Sequence, residues 1–174
     1  MRLSLFATVF FLIVTPILFA QPKKNAVKKM PPALHRTVPD FTLKNKDSTD
    51  VTLSSYQGKI LFMDFWASWC MPCRASIPYL KEVYAKYHPN GFDILSISID
   101  AKPAAWRKAL GKEQMPWTQV LDTYNEGNPT SAVAEKFGAL SVPYTLLLDT
   151  AGKVLAINPT HGAMDSLLQK LYGR

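Results

Sequence analysis

Gly58-Lys59-Ile60-Leu61-Phe62-Met63-Asp64-Phe65-Trp66-Ala67-Ser68-Trp69-Cys70-Met71-Pro72-Cys73-Arg74 is the stretch from which the rest of the chain can be understood. Residues 60–66 form a near-continuous apolar run, the pattern of a central strand covered on both faces, and Asp64 is its one charged interruption. From Met71 or Pro72 to about Tyr87 the pattern turns helical, with Ile77, Leu80, Val83, Tyr84 and Tyr87 returning at spacings of three and four. A proline suits the first helical turn, where its backbone nitrogen needs no partner. Pro78 falls inside the helix, removes the bond to the Arg74 carbonyl and is expected to kink it.

Downstream, Asp93–Asp100 is a second buried strand, and strand, helix, strand fits a right-handed parallel crossover. A short helix over Ala104–Lys112, a strand over Thr118–Leu121 and a helix over Thr130–Phe137 are expected next. Thr145–Asp149, a turn at Ala151-Gly152 and Lys153–Ile157 read as a hairpin. Ala163–Tyr172 closes the chain as a helix whose apolar stripe is Leu167, Leu168 and Leu171, with His161 in the loop before it and no role assigned to it. Upstream, Val38–Leu43 and Val51–Leu53 flank a polar turn as two short strands, and residues 54–59 form a loop. The sum is an α/β sandwich with a mixed central sheet.

Hydrophobic residues make up 48% of the chain and charged residues 19%, which sets aside disordered and fibrous classes. Residues 3–20 form an apolar run behind Arg2 and end at a small residue, Ala20, as an export signal does. Leu18 is bulky where a signal peptide is usually small, and Lys23, Lys24, Lys28 and Lys29 follow, so an uncleaved N-terminal membrane anchor stays open beside a cleaved signal. Residues 21–37 then form a basic Pro/Lys-rich linker, and residues 38–174 one folded domain. The formal charge of +7 owes much to that tail, and no nucleic-acid motif accompanies it, so no nucleic-acid partner is expected.

The chain has two cysteines, three residues apart. Structural disulfides in exported proteins gain stability by closing long loops, and this pair closes almost none. A C-x-x-C pair ahead of a helix does something else. The first sulfur sits beside unpaired N–H groups of the first turn, which favour thiolate over thiol. Lowering a thiol pKa from about 8.5 to about 7 takes it from a few per cent to roughly half ionised, for about 2 kcal/mol. Cys70 is then the nucleophile and Cys73, one turn on, the resolving thiol, which completes an exchange cycle. The competing reading is half of a zinc site, but His35, His88 and His161 are scattered and none supplies the missing ligand spacing. Two thiolates could also hold copper(I) in a metal-delivery module.

Residues 58–74, with Val38-Pro39-Asp40-Phe41, the helix and strand elements around residues 101–137 and Val142-Pro143 ahead of a strand, closely resemble the thioredoxin superfamily. Within it they resemble the TlpA/ResA-like group of extracytoplasmic thiol:disulfide oxidoreductases. The resemblance implies a thioredoxin-like three-layer sandwich with an N-terminal strand extension and a central helix/strand insertion. It also implies that Pro143 is cis and faces the cysteines, and that Val142 offers its backbone to an extended substrate segment. Trp69, Met71 and Pro72 would then border the docking surface, while Trp66 packs in the core.

Asp64, six residues before Cys70, matches the buried aspartate of thioredoxins and is the candidate proton acceptor for Cys73, burial raising its pKa toward the working range. Many of the group carry a glutamate three residues after the second cysteine; Ser76 stands there instead. Pro78 matches the helix-kinking proline. A peroxiredoxin would want threonine or serine where Ala67 stands. The family usually works as a reductase of disulfides in exported proteins, with apocytochrome c and other periplasmic cysteine pairs as its targets and a membrane thiol-disulfide protein as electron donor. Met71 differs from strong oxidases, which carry a histidine at a neighbouring position, and this favours reduction; a disulfide-forming oxidase is the alternative. No cofactor beyond the Cys70–Cys73 couple, no metal and a monomeric state are expected.

Overall fold

The computed structural model describes residues 33–122 and 132–173. The expected signal or anchor and most of the linker lie outside the described residues. Ile60–Trp66 forms β3, and all seven of its residues are buried, as a strand with both faces covered requires. Its side chains alternate: Leu61, Met63 and Phe65 pack to one side, Phe62 and Ile60 to the other. Helix α1 (Met71–Tyr87) buries Ile77, Leu80, Val83 and Tyr87 and carries Pro78 on its exposed side without a break in the helix. The chain then returns through β4 (Phe92–Ser98), parallel to β3. That is the crossover the periodicities predict.

Strands β1 (Thr42–Asn45) and β2 (Asp50–Thr52) form the N-terminal extension. Helix α2 (Pro103–Glu113), β5 (Thr118–Leu121) and α3 (Ala132–Lys136) form the central insertion. The chain closes with β6 (Tyr144–Leu148), β7 (Val154–Ile157) and α4 (His161–Tyr172). The seven strands make one sheet in the order β2-β1-β5-β4-β3-β6-β7. Strands β3, β4 and β5 are parallel, and β1, β2, β6 and β7 join antiparallel, so the sheet is mixed.

One face of the sheet packs Ile60, Phe62, Ile94 and Leu147 against α1 and α4. The other packs Met63, Phe65, Leu95, Ile97, Leu146 and Leu148 against Val133, Ala134 and Phe137 and against Phe41, Leu53 and Tyr56. Helices α1, α2 and α4, the sheet, and α3 with Phe41 and residues 53–56 make the three layers of a thioredoxin-like sandwich. Phe137 joins the third layer to the sheet, its ring 5.6 Å from that of Phe41 and 5.7 Å from that of Phe65.

Several local expectations are corrected. Residues 53–56 form a 3₁₀ turn rather than loop, burying Leu53 and Tyr56. Ordered pairing begins before Val38: the His35 N–H donates to the Val154 carbonyl at 2.8 Å and Thr37 bridges Lys153. His161 is the first residue of α4, which Thr160 caps by accepting the Ala163 N–H at 3.3 Å. The buried stripe of α4 is Met164 and Leu168, with Leu167 partly buried and Leu171 exposed, because the helix is turned to face the β6–β7 side of the core. The described part of α3 is five residues long, and the expected start at Thr130 lies outside the described residues.

Candidate active site

The cysteines are joined as a disulfide, with Cα atoms 5.4 Å apart. Cys70 is the N-cap of α1, and its sulfur accepts the Cys73 backbone N–H at 3.3 Å. That is the position where unpaired N–H groups and the helix dipole stabilise negative charge on sulfur, and no acid in the first turn opposes it. Solvent exposure does not separate the two sulfurs, since Cys70 is 4% exposed and Cys73 5%. Their settings do. Trp66, Ala67, Trp106, Ala109 and Leu121 surround the pair from the core, with Val142 packed against them.

The loop that delivers Cys70 is clamped from β4. The buried Asp100 carboxylate accepts the Ser68 N–H at 2.9 Å, the Ser68 hydroxyl at 2.7 Å and the Ser98 hydroxyl at 2.8 Å. Asp100 reads in the sequence only as the end of a strand; its position just past β4, level with the β3–α1 loop, gives it this task. Arg74, one residue after Cys73, pairs with Glu113 of α2 (Nε–Oε1 2.8 Å), and Lys81 donates to the Glu113 carbonyl at 2.6 Å, so α2 is tied along α1.

Behind Cys73 opens a cleft of about 190 Å³ lined by Asp64, Ser76, Tyr79, Pro143, Asn158 and His161 among others. The Val142–Pro143 peptide is cis, and Pro143 lies exposed on this cleft with Cys73. Asp64 is 7% exposed, and burial pushes its carboxyl up to about 7, against the opposing effect of a hydrogen bond from Ser96. That bond, Ser96 Oγ to Asp64 Oδ2, spans 3.1 Å between paired positions of β4 and β3. Ser76, in place of an acid, bonds back to the Pro72 carbonyl at 3.4 Å. Across the cleft Tyr79 stacks on His161 with ring centroids 3.8 Å apart and donates to Asp165 at 2.8 Å.

Trp69 and Met71 are 64% and 68% exposed, and Pro72 is exposed beside them. Trp66 is buried. Leu140, two residues before Val142, is 72% exposed and was not singled out by the sequence; the one signal for it was its nearness to Val142-Pro143. The structure thus brings Cys73, Asp64 and Pro143 to one cleft and leaves Trp69 and Met71 open to a partner. No group of three or more His, Cys, Asp or Glu side chains that could hold a metal ion occurs among the described residues.

The redoxin family model matches residues 34–163. The thiol-disulfide oxidoreductase ResA of Geobacillus thermodenitrificans is 27% identical over 156 residues, covering 90% of this chain and 86% of that protein. ResA of Geobacillus kaustophilus is 30% identical over 125 residues, covering 72% and 68%. Among solved structures, the thioredoxin domain of a thiol-disulfide oxidoreductase from Bacteroides vulgatus superposes with a TM-score of 0.72 at 27% identity, over 80% of this chain and 97% of that one. A thiol-disulfide oxidoreductase from Bacteroides fragilis does so with a TM-score of 0.70 at 30% identity, over 78% and 99%.

Proposed function

The chain belongs to the redoxin family, in its ResA-like branch of thiol:disulfide oxidoreductases, and from that premise we propose that Cys70 and Cys73 are the exchanging couple and that the protein reduces disulfides of exported proteins. The observation that carries this reading is Cys70 at the N-cap of α1, with a backbone N–H on its sulfur and the cleft of Asp64, Cys73 and Pro143 behind it.

In the forward half-cycle the Cys70 thiolate attacks one sulfur of a partner disulfide. A mixed disulfide forms, and the partner's second sulfur leaves as a thiolate. Cys73 gives up its proton and attacks Cys70 Sγ, so the Cys70–Cys73 disulfide forms and the partner leaves with both sulfurs reduced and two electrons gained. That half-cycle leaves the pair as the disulfide that the placement of Cys70 and Cys73 allows. A dithiol donor then returns two electrons. Asp64 is the base that takes the Cys73 proton: a carboxyl titrating near 7 is matched to proton transfer at neutral pH. The cleft has room for several waters, at roughly 30 Å³ each, to carry the proton between them.

Trp69, Met71, Pro72 and Leu140 supply an apolar rim, and the Val142 backbone supplies pairing for an extended segment that carries the partner's disulfide. The apolar run of residues 3–20 supports an extracytoplasmic site, as a cleaved signal or as an N-terminal anchor. Cysteine pairs of exported proteins, apocytochrome c among them, are the substrates, a membrane thiol-disulfide protein is the donor, and the enzyme works as a monomer. The direction is tested by equilibrating the pair with glutathione buffers. A reductase is expected to have a potential well below that of disulfide-forming oxidases, near −120 mV for the strong bacterial one; a value at that level would make it an oxidase.

A further inference from the structure

The Asp64 carboxylate does not meet Ser96 alone. The Trp117 indole, at the entrance to β5, donates Nε1–H to Ser96 Oγ at 2.8 Å, and Ser96 reaches Asp64 Oδ2 at 3.1 Å. Ser96 is fully buried, and Trp117 is 4% exposed. Hydrogen-bond valence then sets a bias. An indole N–H can only donate, so it occupies one of the two lone pairs of the hydroxyl and polarises its O–H, which is hydrogen-bonded to Asp64.

We propose that Ser96 and Trp117 are positioning residues for Asp64: the indole biases the hydroxyl toward donating to the carboxylate, and the pair thereby tunes the proton affinity of Asp64. The inference rests on the reading of Asp64 as the base for Cys73. A hydroxyl biased toward donating favours the ionised carboxylate, while burial favours the protonated one. Asp64 titrates near neutrality because these two effects oppose each other. A hydroxyl that already accepts from Trp117 is a stronger donor to an ionised Asp64 and a poorer acceptor from a protonated one, so the indole biases the pair toward the carboxylate. The central insertion, which contributes Trp117, therefore reaches the proton chemistry of a centre carried by β3 and α1.

The other titratable groups that face Asp64 line the cleft. They are Cys73 and Tyr79 on α1 and His161 at the start of α4. The partners of Asp64 in the sheet, Ser96 on β4 and Thr145 on β6, carry no charge. Tyr79 is held in its neutral form by burial and by Asp165, which leaves His161 as the group there able to carry positive charge.

The test is a ¹³C-carboxyl NMR titration of Asp64 in the oxidised full chain. In Ser96→Ala the proton affinity is expected to rise about tenfold or more. In Trp117→Phe, which keeps an aromatic ring while losing the N–H and the five-membered ring that carries it, it rises by a smaller factor. Ser96→Thr, which keeps the hydroxyl, stays near wild type. Titration of Ser96→Ala and Trp117→Phe at the wild-type midpoint overturns the proposal, and if Ser96→Ala fails to fold, Trp117→Phe alone decides it. The pH profile of mixed-disulfide resolution, measured on the same variants, separates this inference from the one it rests on. A moved carboxyl midpoint with an unmoved rate profile supports the hydrogen-bond chain and removes Asp64 from the reaction.

Discussion

Burial of Asp64 costs the fold stability at neutral pH. Its carboxyl titrates near 7 in the folded chain and near 4 when unfolded, so between those values the folded state holds more protons. Stability from this group is full below pH ~4, falls as pH rises to about 7, and beyond that the loss is complete, on the order of 4 kcal/mol. Asp64→Asn is accordingly expected to raise the urea midpoint above pH 7, with the gain vanishing toward pH 4. The same variant should slow resolution by Cys73 while attack by Cys70 proceeds at its former rate. A gain in stability with a loss of rate is the signature of a group placed for function; a variant less stable than wild type at pH 8 would contradict it.

At this scale the cysteine pair at the start of α1, the cis Val142–Pro143 peptide and the burial of Asp64 were legible from spacing and resemblance. The Trp117–Ser96–Asp64 chain was not, because its bonds join residues 21 and 32 positions apart in sequence. No local pattern marks such a pair.

At the scale of elements, the β3–α1 unit decides where Cys70 stands, and Asp100 holds its connecting loop. Asp100→Ala leaves the Ser68 N–H and two hydroxyls without their buried acceptor. A loss of about 1–3 kcal/mol in urea unfolding is expected, together with a change in the alkylation rate of reduced Cys70 as the loop loosens. An unchanged alkylation rate would confine Asp100 to a structural part. Elements with a clear apolar pattern were read closely: β3 at Ile60–Trp66 and β5 at Thr118–Leu121 lie where expected and α1 within a residue at its start, while β4 is Phe92–Ser98 and so ends two residues before the expected Asp100. Short ones were not. The 3₁₀ turn at residues 53–56 has too few residues to show a period, and α4 shows three leucines of which the fold buries one fully. Which side of an amphipathic helix faces inward is settled by the layer it meets, here the β6–β7 side of the sheet, and this layer is set by the topology rather than by the helix itself.

For the whole molecule, the third layer is joined to the sheet through Phe137. Phe137 is fully buried and touches both Phe41 of the N-terminal segment and Phe65 of β3, so it ties the insertion and the extension to the central sheet. Phe137→Ala is expected to cost about 3–5 kcal/mol in a single unfolding transition. Two separate transitions would mean that the third layer folds apart from the rest. The sandwich class was readable because strands and helices alternate in order. The placement of β1 beside β5, which completes the sheet order, was not, since pairing across the insertion is a choice that topology makes and local sequence does not record.

The most direct test of the account is a trapping experiment with a protein disulfide and two single-cysteine variants of the reduced full chain. Cys73→Ala is expected to accumulate a mixed disulfide through Cys70, identified by mass and reversed by dithiothreitol, while Cys70→Ala accumulates little under the same conditions. Equal trapping by both variants, or trapping through Cys73 alone, would contradict the assignment of Cys70 as the attacking sulfur, and with it the part played by the α1 N-terminus.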